Sequence, residues 1–244
     1  MKNVLYYKFM ELENLEELQK SHEELCKKLN LLGKVIFATE GINGCLSGDD
    51  KDIFEYVEHI KSKFDINDID IKITSTERHN FRKLWIKIKK QIIGTTNWEA
   101  KIDNRAEYIE PNELKSLLDD EEEIYIIDAR NNYEYDSGHF ENSVRPDIRT
   151  FSKFHELLKN LEHLKDKKIV TYCTGGIRCE KASAFLLENG FKDVRQLHGG
   201  VINYAKNFGS EHWEGKCLVF DNRNELDMDE IKDSSIDKVK PLPF

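Results

Sequence analysis

The segment that most restricts this chain is Lys168-Ile169-Val170-Thr171-Tyr172-Cys173-Thr174-Gly175-Gly176-Ile177-Arg178. Its first five residues read as a buried strand and its glycines as a tight turn. The residues beyond Arg178 read as a helix that presents Ala182, Ala184, Phe185, Leu186 and Leu187 and stops at Asn189-Gly190. Strand, small-residue loop and helix in that order make a parallel α/β unit, and ligands of such sheets gather where strands end and helices begin. Cys173 stands at that junction. A glycine loop before a helix turns its backbone N–H groups inward as a nest for an anion, and a thiolate is an anion. With Arg178 five residues on, Cys173 is expected to ionise below the ordinary thiol value of about 8.5 and to act as a nucleophile. The plainer alternative is a cysteine buried at a strand end, but it gives the glycines and the arginine no purpose.

The Cys-x4-Arg spacing is one residue shorter than the Cys-x5-Arg loop of cysteine-dependent phosphatases, whose extra residue makes room for a tetrahedral phosphate. A smaller loop suits a persulfide sulfur better. From Tyr108 onward the pattern alternates strands and helices: Pro111 opens a short helix, Ile124-Tyr125-Ile126-Ile127 closes on Asp128, and Val194-Arg195-Gln196-Leu197 ends at Gly199-Gly200. The segment before this region reads differently. Residues 3–10 are expected as a strand and 12–31 as an amphipathic helix. Val35 to Ala38 and Cys45 to Ser47 are expected as strands joined by a hairpin turn at Asn43-Gly44. A helix with Ile53, Phe54, Val57 and Ile60 on one face and a strand from Ile69 to Thr74 follow. That order, βαββαβ, is ferredoxin-like. Residues 84–92 predict one more strand, with Leu84, Ile86 and Ile88 on one face and Trp85, Lys87 and Lys89 on the other. The expected boundaries are an N-terminal domain over 1–93, a polar linker over 94–107, a second domain over 108–208 and an acidic extension over 209–244, partly disordered.

Composition excludes some classes. No apolar run approaches the ~20 residues that span a bilayer, and Met1 to Tyr7 lacks the features of a secretory signal, so a cytoplasmic location is expected. Five cysteines without framework spacing argue against a disulfide scaffold, and no zinc pattern is present. Although the net charge is −9, no acidic residue falls between Glu77 and Glu99, a window that holds Arg78, Arg82, Lys83, Lys87, Lys89 and Lys90. This stripe, with Trp85 among its lysines, reads either as a base-stacking and phosphate-binding platform or as a lysine-protected strand face.

The residues Asp128-Ala129-Arg130, Glu134-Tyr135, Gly138-His139-Phe140 and the Cys173 loop resemble the rhodanese family. The run from Tyr172 to Ala184 is similar, more specifically, to the prokaryotic tRNA uridine hydroxylase family that forms 5-hydroxyuridine at the wobble position. Glu40-Gly41-Ile42-Asn43-Gly44 and Gly199-Gly200-Val201-Ile202-Asn203-Tyr204 agree with that family's pattern. The resemblance implies a ferredoxin-like, acylphosphatase-like α+β domain followed by a rhodanese-like parallel α/β domain. It also implies an oxygen-dependent hydroxylation of uridine 34 in tRNA, with Cys173 catalytic, no recognised metal or flavin, and molecular oxygen as co-substrate. Longer members continue into a cysteine-rich segment, whereas here an acidic tail without further cysteine follows Cys217.

Within the site, Thr174, Gly175, Gly176, Ile177 and Arg178 form the active-site loop, with Arg178 expected to contact an anion or substrate. Asp128 and Arg130 are expected to pin the loop by hydrogen bonds, and Cys179 is either core or a resolving thiol. The thiolate could add to C6 of uracil and enrich C5 in electrons, or be oxidised toward a sulfenic acid. Two other functions fit the same residues: a sulfurtransferase working through a Cys173 persulfide, and a non-catalytic RNA or protein adaptor that keeps the loop as an anion nest.

Overall fold

The computed structural model describes residues 1–64 and 69–234. Its first part runs β1 (Lys2–Phe9), α1 (Leu15–Lys28), β2 (Leu32–Ala38), β3 (Gly41–Gly48), α2 (Asp50–Phe64), β4 (Asp70–Ser75) and β5 (Leu84–Ile88). The sheet order is β4-β1-β3-β2-β5. The first four strands pair antiparallel, and β5 lies parallel to β2 at the edge. Alternation along the strands sends Val4, Tyr6, Val35, Phe37, Ile42 and Leu46 into a core shared with Ile53, Tyr56 and Ile60 of α2. The opposite face presents Leu5, Tyr7, Lys34, Asn43, Cys45 and Lys72 to the second domain.

Two local expectations are corrected here. Asn43-Gly44 is not the hairpin turn; the turn falls at Thr39-Glu40, and both residues lie inside β3. Gly44 is there for space, since it sits opposite Tyr6 in the ladder and a Cβ would come within 2.3 Å of the Tyr6 ring. The strand expected over 84–92 ends at Ile88. A final ladder bond runs from Lys89 N–H to the Phe37 carbonyl (2.8 Å), and then the Ile92 N–H donates to the Glu40 carboxylate (2.8 Å). That side-chain acceptor draws the chain out of the sheet and toward the second domain.

The second part runs β6 (Glu107–Ile109), α3 (Pro111–Asp119), β7 (Ile124–Asp128), α4 (Asn132–Ser137), β8 (Gly138–Phe140), α5 (Leu158–Leu161), β9 (Lys168–Tyr172), α6 (Ile177–Glu188), β10 (Asp193–Leu197) and α7 (Gly200–Phe208). Strands β6-β10-β9-β7 form an all-parallel sheet with an apolar core on each side. The polar stretch expected as a linker is docked. Trp98 is buried among Phe151, Phe154 and Phe185, its indole N–H donates to the Ser152 carbonyl (2.8 Å), and Asn104 donates to Glu188 (2.7 Å).

The tail also folds over much of its length. Strand β11 (Trp213–Gly215) pairs with β8, β12 (Cys217–Leu218) pairs with β13 (Glu225–Leu226), and α8 (Met228–Ser234) buries Met228 and Ile231 in the core that α7 lines. The rest of the acidic tail, 235–244, lies outside the described residues. Lys181 of α6 ties the two domains, its ammonium donating to both Glu40 oxygens (2.9 Å each) and to the Ile93 carbonyl (3.1 Å). Tyr7 adds a second tie through Glu180 (2.9 Å).

Candidate active site

Cys173 follows the last residue of β9, and α6 begins four residues later, so the loop must reverse within Thr174-Gly175-Gly176. Gly176 has φ +100, a conformation that L side chains rarely adopt. The turn brings the Gly176 N–H to 3.1 Å from Cys173 Sγ. Beneath the loop, Gly199 caps α7 and Gly200 begins it, both at positive φ; a Cβ on Gly200 would lie 2.3 Å from the Cys173 carbonyl oxygen. This close approach lets the Val201 and Ile202 N–H groups donate to the Cys173 and Thr174 carbonyls (2.9 and 3.1 Å). Carbonyls are thus held downward and N–H groups upward, toward the sulfur.

Burial by itself would raise the Cys173 thiol, but the Cys179 side chain, the Arg178 charge and the backbone N–H groups of Arg178 and Cys179 outweigh it, and the pKa falls to about 5. Cys179 moves the opposite way: burial and the adjacent Cys173 sulfur push its thiol well up. One sulfur is therefore a thiolate at neutral pH and its neighbour remains a hydrogen-bonding thiol. Cys26, Cys45 and Cys217 are each pushed up to about 12, by burial first of all.

Arg178, expected to contact an anion or substrate, lines the cavity with its guanidinium committed to a protein partner. Its guanidinium is buried and makes a two-pronged pair with Glu134 (Nη1 to Oε2 2.7 Å, Nη2 to Oε1 2.8 Å), and Nη2 also donates to Thr174 Oγ1 (3.3 Å). Its charge reaches Cys173 through space while its donors hold the loop shut. Glu134 is the partner that sequence reasoning noticed only as part of a motif; the Asn131 capping box of α4, with Glu134 three residues on, is the local signal that could have placed it.

Asp128 and Arg130 come together at the end of β7, wholly buried, through Nε (3.0 Å) and Nη2 (2.7 Å) contacts. The Tyr172 hydroxyl donates to Asp128 (2.7 Å), and the Ala129 N–H donates to the Tyr172 carbonyl (2.8 Å). The pair thus fastens the residue immediately before Cys173. His139 stacks on Tyr135 and is not among the residues that line the cavity.

Cys173 forms part of the floor of a cavity of about 1220 Å³ between the domains. Its walls include Lys34, Asn43, Lys89, Thr174, Arg178 and Phe220. Of the basic stripe, Lys89 and Lys90 line this cavity. Trp85 and Lys87 project from the same sheet face, with the Lys83 and Lys87 ammonium groups 4.4 and 4.1 Å from the Trp85 ring centre. Arg78 instead borders a smaller hollow beside Arg223, and neither Arg82 nor Lys83 reaches the main cavity. Lys34, which was not singled out from the sequence, is lowered by partial burial and by the charges of Lys89 and Lys87, although its tip is exposed. Among the described residues no cluster of His, Cys, Asp and Glu is gathered to hold a metal ion, and no helix is long and apolar enough to cross a membrane.

An acylphosphatase-like sheet set against a cysteine loop of rhodanese type defines the class. Residues 1–92 match the UPF0176 acylphosphatase like domain, and 110–207 match the Rhodanese-like domain. The chain is 44% identical over 241 residues to the tRNA uridine(34) hydroxylase of Enterococcus faecalis, covering 96% of this chain and 76% of that protein. It is 41% identical to the namesake from Cytophaga hutchinsonii and 43% identical to that from Staphylococcus carnosus, each time over 96% of this chain and 75% of the relative. The chain belongs to the tRNA uridine(34) hydroxylase family.

Proposed function

We propose that this enzyme hydroxylates uridine 34 of tRNA to 5-hydroxyuridine, with Cys173 as the reactive thiolate and dioxygen as co-substrate. The observation that carries the reading is a single thiolate at the floor of a cavity walled on its far side by cations. The volume exceeds the ~300–1,000 Å³ of common small-molecule pockets, leaving room for a nucleotide together with its flanking phosphates. Lys34, Lys89 and Lys90, which line the cavity, supply the charge that a phosphate backbone requires. An anticodon loop is single-stranded, so its base can enter without the cost of opening a duplex.

In this reading Sγ adds to C6 of the uracil ring and the C5–C6 π pair moves onto C5. The enriched C5 attacks dioxygen to give a C5 hydroperoxide. An external two-electron reductant such as a dithiol cleaves its O–O bond, one oxygen staying on C5 as hydroxyl and the other leaving as water with two protons. Loss of the C5 proton with departure of the thiolate then restores the ring and Cys173. The N–H groups around Sγ stabilise the thiolate before addition and after elimination. No metal or flavin is assigned a part. A cytoplasmic location fits a tRNA substrate.

The test is nucleoside mass spectrometry of tRNA from cells lacking the gene, complemented with wild type or Cys173→Ser. Return of 5-hydroxyuridine with wild type alone is the expected result. A level that never depended on the gene would remove the reading, and thiosulfate-to-cyanide sulfur transfer would then be assayed.

A further inference from the structure

Phe220 has the greatest exposure of any large apolar side chain among the described residues, 60%, and it lines the Cys173 cavity. An exposed phenyl on a loose chain would mean little, but this segment is fixed. Val219 and Asp221 on either side are buried. The Val219 N–H donates to the Asn224 carbonyl (2.8 Å) and the Asn222 N–H to the Asn80 carbonyl (2.9 Å). Asp221 grips Arg223 (Nε to Oδ1 2.9 Å), which donates through Nη1 to Thr74 at the edge of the N-terminal sheet (3.2 Å). The segment is therefore stapled to the first domain while its ring reaches over the second. The Arg178 guanidinium, clamped by Glu134, lies 5.6 Å from the ring centre.

One ring face is accordingly seated on a fixed cation beside the Cys173 loop. The rest of the ring is open, at the cost of burial that the same side chain would gain in a core. A planar ligand covering it would recover that burial, and the neighbouring cavity wall is cationic. We propose that Phe220 stacks on the pyrimidine ring of the uridine presented to Cys173 and so orients the base over the sulfur. This assignment rests on the reading of the cavity as a nucleotide site.

The test measures binding of a labelled anticodon stem-loop RNA, with uridine at position 34, by fluorescence anisotropy. All proteins carry Cys173→Ser so that no turnover intervenes. Phe220→Leu is expected to raise Kd about tenfold, equivalent to ~1.4 kcal/mol, and Phe220→Trp to keep it near the parent value. On the same RNA made abasic at position 34, the Phe and Leu proteins are expected to bind alike. An unchanged Kd for Phe220→Leu overturns the proposal, as does an equal loss on the abasic RNA or a coupling to position 33 or 35 instead. Thermal unfolding of the Leu variant at the parent temperature is expected and separates a lost contact from a damaged fold. Hydroxylation of the stem-loop by the wild-type enzyme is followed in parallel. Failure there with the Phe220 coupling intact counts against the reaction and not against the stacking.

Discussion

The two walls of the Cys173 cavity treat charge in opposite ways. On the loop side every strong charge is answered: Arg178 by Glu134, Arg130 by Asp128, all of them buried. On the sheet side Lys34 draws its nearest charges from Lys89 and Lys87, all of one sign. A buried cation that is paired spends its donors on the protein and fixes geometry. A cluster of like cations at a cavity wall repels itself and is relieved by an outside anion. The loop wall therefore supplies position and the sheet wall supplies attraction, and the two can be broken separately.

The largest effect is expected at the thiolate. Cys173→Ser should lower hydroxylation by on the order of 10³-fold or more, because a hydroxyl is not ionised at neutral pH; turnover of unmodified tRNA followed by mass spectrometry checks this. With its folded pKa depressed to about 5, Cys173 stays a thiolate as pH falls from 8 to 6. Its alkylation by iodoacetamide should be nearly flat across that range and decline toward pH 5. A profile rising through pH 8 would show that the nest does not tune the sulfur.

Next comes the loop wall. Glu134→Ala strands Arg178 without its partner and should destabilise the fold by about 3–5 kcal/mol, read from urea unfolding. Burial would raise the Glu134 carboxyl, yet Arg178 and the Asn131 N–H hold it below its usual range. Its contribution to stability is thus complete above the unfolded value of about 4.3 and lost as pH drops through the lower folded one. A variant as stable as the parent would show that the pair is dispensable.

On the sheet wall, Lys34→Ala or Lys89→Ala should weaken tRNA binding and flatten the log Kd against log salt slope by about 0.7 each, the single-strand value, without changing the alkylation profile of Cys173. Arg78→Ala, which borders another hollow, should change the slope least. Equal effects at Arg78 and Lys34 would mean that the stripe, not the cavity, holds the RNA.

Legibility from sequence followed the range of the forces. The strand, glycine loop and helix around Cys173 were readable because helix stops, positive-φ turns and strand runs are decided within a few residues. Asn43-Gly44 misled for a tertiary reason: Gly44 answers to the Tyr6 ring across the sheet, not to a turn. The end of β5 was missed because a carboxylate 52 positions away, Glu40, captures the Ile92 N–H. The tail read as loose from its acidity, yet Val219, Met228 and Ile231 are buried in the core of the second domain.

The sequence by itself determined that a cysteine would end a buried strand at the mouth of a glycine nest, since that depends only on local backbone conformation. Only the tertiary structure decided what surrounds the sulfur. Arg178 is clamped by Glu134, 44 residues distant, and the Cys179 thiol is aimed at Cys173. Lys34 and Phe220 come from opposite ends of the chain to the same cavity. Such partners are chosen by packing between elements far apart in sequence, and a burial or an ion pair has no local signature until both sides are in place.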